Sequence, residues 1–303
     1  MMAAFGLPLA AQSDLHSAPL DIPRDKPFVE VMVNGKGPFR FVIDTGTGGE
    51  AFVTQGLAKR LGLPAIGQAR LSDPSGKGGQ RAPIVAIQSL TVAGVEFTGV
   101  RAVEHALDDE DGDCQGLLGF LLFRNTLLTL DFPNRRMTLA TGALEPDGGR
   151  SVLPFRMPEG VPIVAMQIDG VTLDAQVDSG GTGLSLPESL ASRLKFAIEP
   201  AEFTRGESLS TRFQIKAAKL AGDVRLGSYT FARPFVEINP AFPLANFGAS
   251  PLKNFAVTFD QKSGLVRFEA RQKSIRLAAT PAPLRLKTEP LPKPPDISLV
   301  PVG

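Results

Sequence analysis

The chain has 303 residues, long enough for two domains that each bury a core of their own. Hydrophobic residues make up 43% and charged residues 21%, the balance of a globular protein, and a net charge of +1 gives no electrostatic reason to expect a nucleic acid or an anionic membrane as partner. A single cysteine, Cys114, excludes an internal disulfide or a multi-cysteine metal site, and with only His16 and His105 present most metal-hydrolase and Ser-His-Asp schemes lack their parts.

The opening MMAAFGLPLAAQS is apolar and ends in small residues, like the rear of a secretory signal peptide cleaved near Ala11, but without the basic leading segment. Residues 1–24 are therefore read as a signal remnant or a loose N-terminal arm, with a periplasmic or secreted location as the expectation. No run approaches the roughly 18 apolar residues of a membrane span.

From residue 25 a series of elements begins that later recurs. Val29, Val31 and Val33 alternate as one apolar strand face, and Asn34-Gly35 is a hairpin turn. A second alternating strand, Phe39, Phe41 and Ile43, runs into Asp44-Thr45-Gly46, and Leu57 and Leu61 mark a short helix. A Gly-rich stretch at 71–83 is a candidate flap, an acidic run spans 108–113, and Leu117-Leu118-Gly119 precedes a strand ending at Asp131.

After the turn-rich join EPDGGRSVLP the same order returns. Val164, Met166 and Ile168 alternate, Asp169-Gly170 turns, and Leu173, Ala175 and Val177 lead into Asp178-Ser179-Gly180. Leu190 and Leu194 mark the second short helix, and Asp260 ends the copy as Asp131 ends the first. The spacing from Asp44 to Asp131 nearly equals that from Asp178 to Asp260, the register of a duplicated domain with altered loop lengths. Lobe one is placed at 25–145 and lobe two at 150–272. The proline-rich tail, 276–303, is expected to be extended rather than folded.

The triplets are where chemistry concentrates. Hydrolysing an amide without a metal or a covalent intermediate needs one group to take a proton from water and another to give one to the carbonyl. Two adjacent carboxylates can do both, because like charges cannot both ionise easily and the pair shares a proton. One Asp-hydroxyl-Gly triplet means little; two, each after an apolar strand in matching copies, form a constellation. Asp44 and Asp178 are therefore the candidate catalytic residues.

VIDTGT (42–47), QVDSGG (176–181) and Leu117-Leu118-Gly119 resemble the pepsin and retropepsin superfamily, in the bacterial form with two retropepsin-sized lobes in one chain. The resemblance implies an all-β fold of two β-barrel lobes with a cleft between them, and an endopeptidase whose Asp44 and Asp178 activate water. It further implies that Thr45, Gly46, Thr47, Ser179 and Gly180 support the pair, that the partner is a peptide or protein substrate, and that a monomer suffices without metal or cofactor. Three departures stand out: Gly181 replaces the usual small hydroxyl or Ala residue, Asn246-Phe247-Gly248 replaces the second hydrophobic-hydrophobic-Gly element, and the flap has no tyrosine.

Other readings are weaker. A peptide-binding protein without turnover follows if lobe two's departures abolish chemistry. Gly46-Thr47-Gly48-Gly49-Glu50-Ala51 spells a dinucleotide fingerprint, but an Asp precedes it where an apolar residue is expected. The run 108–113 lacks EF-hand spacing for calcium, and Cys114 with His105 is better read as a buried hydrophobe than as a nucleophile with its base.

Overall fold

Alternation along each predicted strand turns one face of it into core. The computed structural model describes residues 15–71, 79–105, 114–207 and 212–277; the flap tip, the acidic run 108–113 and most of the proline-rich tail fall outside them. In the Phe28–Val33 and Ile163–Ile168 strands, Val29, Val31, Val33 and Val164, Met166, Ile168 are all buried. Phe39, Phe41 and Ile43 continue the same face in lobe one. Both hairpin turns have the two successive positive φ angles of a type I′ turn, 49° and 70° at Asn34-Gly35 and 50° and 79° at Asp169-Gly170.

Six strands of lobe one close into a barrel. The order runs Phe28–Val33, Lys36–Asp44, Gly116–Gly119, Ala51–Val53, Val95–Glu104 and Gln80–Val92, and the last pairs back onto the first. Closure matters here because it satisfies main-chain groups that an open edge would leave exposed. Lobe two repeats the order with Ile163–Ile168, Val171–Val177, Ala245–Phe247, Leu184–Pro187, Phe235–Asn239 and Arg212–Leu220. Its closing strand is broken, so that the separate segment Val224–Leu226 makes the return pairing to Ile163–Ile168.

The threaded strand of each lobe sets the position of its Asp. Gly116–Gly119 lies parallel to the strand ending in Asp44, with Leu118 beside Ile43 and Gly119 beside Asp44. Ala245–Phe247 does the same for Val171–Val177, placing Asn246 beside Gln176 and Phe247 beside Val177. The first short helix contains both its leucines, Leu57 and Leu61, whereas the second contains Leu190 but ends before Leu194. Gln55–Leu61 is capped by the Thr54 hydroxyl accepting from Leu57 N at 3.2 Å and ends at Gly62 in the left-handed region; Glu188–Ala191 is a single turn.

A third, antiparallel sheet bridges the lobes, in the order Leu15–Pro19, Arg136–Ala140, Leu127–Asp131, Ala256–Asp260, Leu265–Glu269, Val152–Arg156. Its centre is a pseudo-twofold: Thr129 faces Thr258 and their hydroxyls are 2.9 Å apart. Asp131 and Asp260 end matching strands, each accepting from the main chain three residues on, at Asn134 and Ser263. The outer strands are equivalent as well, so Leu15–Pro19, within the segment read as an arm, occupies in lobe one's half the place that Val152–Arg156 occupies in the other.

One apolar core runs through both lobes and beneath this sheet. Phe120 of lobe one stacks edge-on against Phe155 and Phe259, at 5.9 and 5.1 Å between ring centres. Phe259 is 1% exposed, so removing its ring leaves a cavity that neither lobe can refill alone. Phe259→Ala is expected to lower stability by about 3–5 kcal/mol in urea unfolding followed by circular dichroism; a loss below about 1 kcal/mol would show that the lobes do not depend on this shared core.

Candidate active site

Both triplets sit at strand ends facing the pseudo-twofold, and their middle residues bind each other. Thr45 N donates to Ser179 Oγ and Ser179 N donates to Thr45 Oγ1, each at 3.0 Å. Each hydroxyl then donates onward into the opposite lobe, Thr45 Oγ1 to Val177 O and Ser179 Oγ to Ile43 O, both at 2.7 Å. Both residues are fully buried. Each of the four bonds in this exchange crosses the lobe boundary, and a buried group left unpaired costs far more than an exposed one.

This clamp brings the two carboxylates face to face. A Cβ at Gly46 would collide with the Asp178 carboxylate, and one at Gly180 would collide with that of Asp44. Neither glycine has a positive φ, so their role is space rather than backbone freedom: each leaves room for the other lobe's acid. Asp178 is 9% exposed; Asp44 is partly exposed beneath the cleft.

The hydrogen bonds around the two acids differ. Asp44 accepts from Gly46 N at 2.9 Å and from the Thr47 hydroxyl at 2.8 Å. Asp178 accepts on one oxygen from Gly180 N and Gly181 N, at 2.9 and 2.7 Å, and on the other from Asn246 Nδ2 at 2.7 Å. Burial pushes the Asp44 carboxyl up to about 7; the Asp178 charge adds to the rise, while Thr47, Lys26 and Gly46 oppose it. Lys26 reaches across from lobe one to donate to Gly180 O. Gln176 Nε2, from lobe two, donates to Gly46 O at 3.0 Å.

A cavity of about 760 Å³ opens beside the pair and is lined by Asp178 and by Gly46 and Thr47 of the loop that carries Asp44. Thr47, Phe52 and Leu71 line it from lobe one, and Asp178, Phe242 and Asn246 from lobe two, so the space lies between the lobes. The candidate residues Asp44, Thr45, Gly46, Thr47, Asp178, Ser179 and Gly180 thus converge on one place. Sequence reasoning missed Asn246 and Lys26 as members. Asn246 carried a signal, since it departed from the expected apolar residue in the same lobe where Gly181 lacks a hydroxyl; Lys26 carried none.

Neither a dinucleotide site nor a cysteine nucleophile has the geometry it needs. The glycine-rich stretch after Asp44 leads into the strand Ala51–Val53 rather than into a helix whose first turn could hold a pyrophosphate. Cys114 is buried with Phe28 and Val42, its thiol 3.3 Å from Gly116 O. Among the described residues no three His, Cys, Asp or Glu side chains are grouped for a metal, and no helix is long and apolar enough to cross a membrane.

The family model for aspartyl proteases matches the chain twice, at residues 29–121 and 164–252. Each match begins on the first strand of a hairpin, contains one triplet and extends past the threaded strand, so the matches coincide with the two barrels. The chain belongs to the aspartyl protease family. No curated protein matches it.

Thr45→Val removes the hydroxyl but keeps the volume, leaving Ser179 N without its acceptor and Val177 O without its donor. With about 1–3 kcal/mol for each of the two buried groups left unpaired, the variant is expected to lose about 2–6 kcal/mol in denaturant unfolding. Unchanged stability would show that the clamp does not hold the lobes.

Proposed function

We propose that the protein is an aspartic endopeptidase that hydrolyses peptide bonds by activating water between Asp44 and Asp178. The observation that carries this reading is that matching loops of a duplicated fold bring two acids together, each occupying space that the other loop's glycine leaves free. A carboxyl held up to about 7 beside a second carboxylate is the state in which one group can donate a proton while its neighbour accepts one. Water held over the pair gives a proton to the ionised acid as its oxygen attacks the scissile carbonyl, and the protonated acid supplies a proton to the carbonyl oxygen. Collapse of the tetrahedral species then returns a proton to the leaving amine. The inter-lobe cavity, apolar at Phe52, Leu71 and Phe242, suits side chains of an extended polypeptide. One chain supplies both acids, so the reading requires no second subunit.

A peptide-binding module without turnover is the second reading, favoured by the missing hydroxyl at Gly181. Asn246 weakens it, because its amide donates to the Asp178 oxygen that such a hydroxyl would otherwise reach.

The test is cleavage of a mixed peptide library, read by mass spectrometry, with Asp44→Asn and Asp178→Asn made singly. Each substitution is expected to lower the rate by about 10²–10⁴-fold, the usual contribution of a general acid or base. The kcat/KM profile should be bell-shaped, falling as pH rises through about 7 where Asp44 loses its proton, and falling again at low pH where the pair becomes doubly protonated. Near-full cleavage by either variant, or a rate still climbing above neutrality, contradicts the reading; binding of the library without products supports the module instead.

A further inference from the structure

The two halves of the Asp pair are not chemically equivalent. In lobe one the outer Asp44 oxygen meets a hydroxyl, from Thr47. The matching residue in lobe two is Gly181, and the outer Asp178 oxygen meets instead the amide of Asn246, which comes from the neighbouring threaded strand. The replacement is steric as well as polar. A Cβ at Gly181 would lie 2.7 Å from Asp178 Oδ2 and 2.8 Å from Asn246 Nδ2, so the Asn side chain fills the space of the missing one. Asn246 stands where lobe one has Leu117. Lobe two has therefore exchanged a Thr–Leu arrangement for Gly–Asn.

The exchange has a consequence for the shared proton. A hydroxyl can donate to an ionised carboxylate or accept from a protonated one; an amide NH₂ can only donate. Thr47 therefore tolerates either state of Asp44, whereas the Asn246 NH₂, as oriented, suits Asp178 Oδ2 only as an acceptor. Turning the amide over would aim its oxygen, which has no partner where it stands, at Asp178 Oδ2, an arrangement that suits only a protonated acid and takes the N–H donor off it. Asp178 also receives three N–H donors, against one N–H and one hydroxyl for Asp44. Donors to the charged form favour it.

We propose that Asn246 is a positioning residue that replaces the hydroxyl absent at position 181 and holds Asp178 as the ionised member of the pair, leaving the proton on Asp44. The inference rests on the peptidase reading for its role in turnover, but not for its effect on titration. The raised Asp44 carboxyl agrees with it. Other charged groups facing Asp178 are Asp44 itself and Lys26, which donates to Gly180 O; Glu237 packs against Gly183, and Arg70, His105 and Glu159 line the cavity. All of them stay in place in the variants below.

The experiment compares Asn246→Leu, Gly181→Thr and the double variant, which transplants lobe one's arrangement into lobe two. It uses kcat/KM on a peptide chosen from the library, together with ¹³C NMR titration of the aspartate carboxyls, assigned by loss of signal in Asp44→Asn and Asp178→Asn. Asn246→Leu is expected to lower kcat/KM roughly tenfold and to move the acidic limb and the lower-titrating carboxyl of the pair up by about one pH unit, the scale of one hydrogen bond to a charged group. Gly181→Thr alone should be impaired by collision with both Asn246 and Asp178, and the double variant, which removes the first of these and supplies a hydroxyl, should exceed Gly181→Thr. Asn246→Asp, which keeps the packing should Asn246→Leu fail to fold, should work only where its new carboxyl is protonated and can still donate. If the wild type cleaves no peptide, the peptidase reading fails, but the carboxyl titration still decides: a shift in Asn246→Leu supports the inference. An unshifted titration and acidic limb, or a double variant no better than Gly181→Thr, overturns it.

Discussion

Two buried hydroxyls and the main-chain groups they satisfy fix how the lobes meet. Thr45 and Ser179 exchange hydrogen bonds across the boundary and pass others to Val177 O and Ile43 O, so that neither loop can move without leaving a buried donor or acceptor unpaired. Placing two acids at close quarters is electrostatically unfavourable, and only a rigid support keeps them there. The barrels, the bridging sheet and the Phe120 ring cluster serve this placement: each barrel ends a strand at an Asp, and the sheet's Thr129–Thr258 centre orients the two ends toward each other.

Duplication explains the symmetry, but the departures from symmetry carry as much chemical meaning. A pair that shares one proton must decide which member keeps it, and identical surroundings would leave that undecided. Here lobe two offers Asn246 where lobe one has Leu117, and lobe one offers Lys26 at the turn where lobe two has Val161. Further along lobe two, Ser185 and Glu237 are register partners where lobe one has Phe52 and Val103, and burial pushes the Glu237 carboxyl up. Lobe two thus has a polar pair beside Asn246 where lobe one has two apolar side chains.

Much of this architecture is readable from the chain. Strand alternation, the Asn34-Gly35 and Asp169-Gly170 turns and the paired triplets depend on local rules, namely period-two burial and left-handed turn geometry, and the fold follows them. The same locality explains what was not legible. The triplets mark Gly46 and Gly180 as supports of the pair, but the way they act, by making room for acids 132 residues or more away in sequence, is visible only once the lobes are docked. Asn246 read as a degraded motif because its partner, Asp178, is a neighbour in space through the threaded strand and not along the chain. Lys26 reaches the site only because a short turn at Pro23–Asp25 aims it across the lobe boundary.

The most direct measurement of the Asp pair's role is a crystal structure with a statine-type peptide bound, because its hydroxyl imitates the attacking water's oxygen. That hydroxyl is expected to lie between Asp44 and Asp178, within hydrogen-bond distance of both carboxylates, with the peptide extended along the inter-lobe cavity. A mimic seated elsewhere, or one touching a single carboxylate while the other turns to a separate surface, would contradict the shared-proton mechanism.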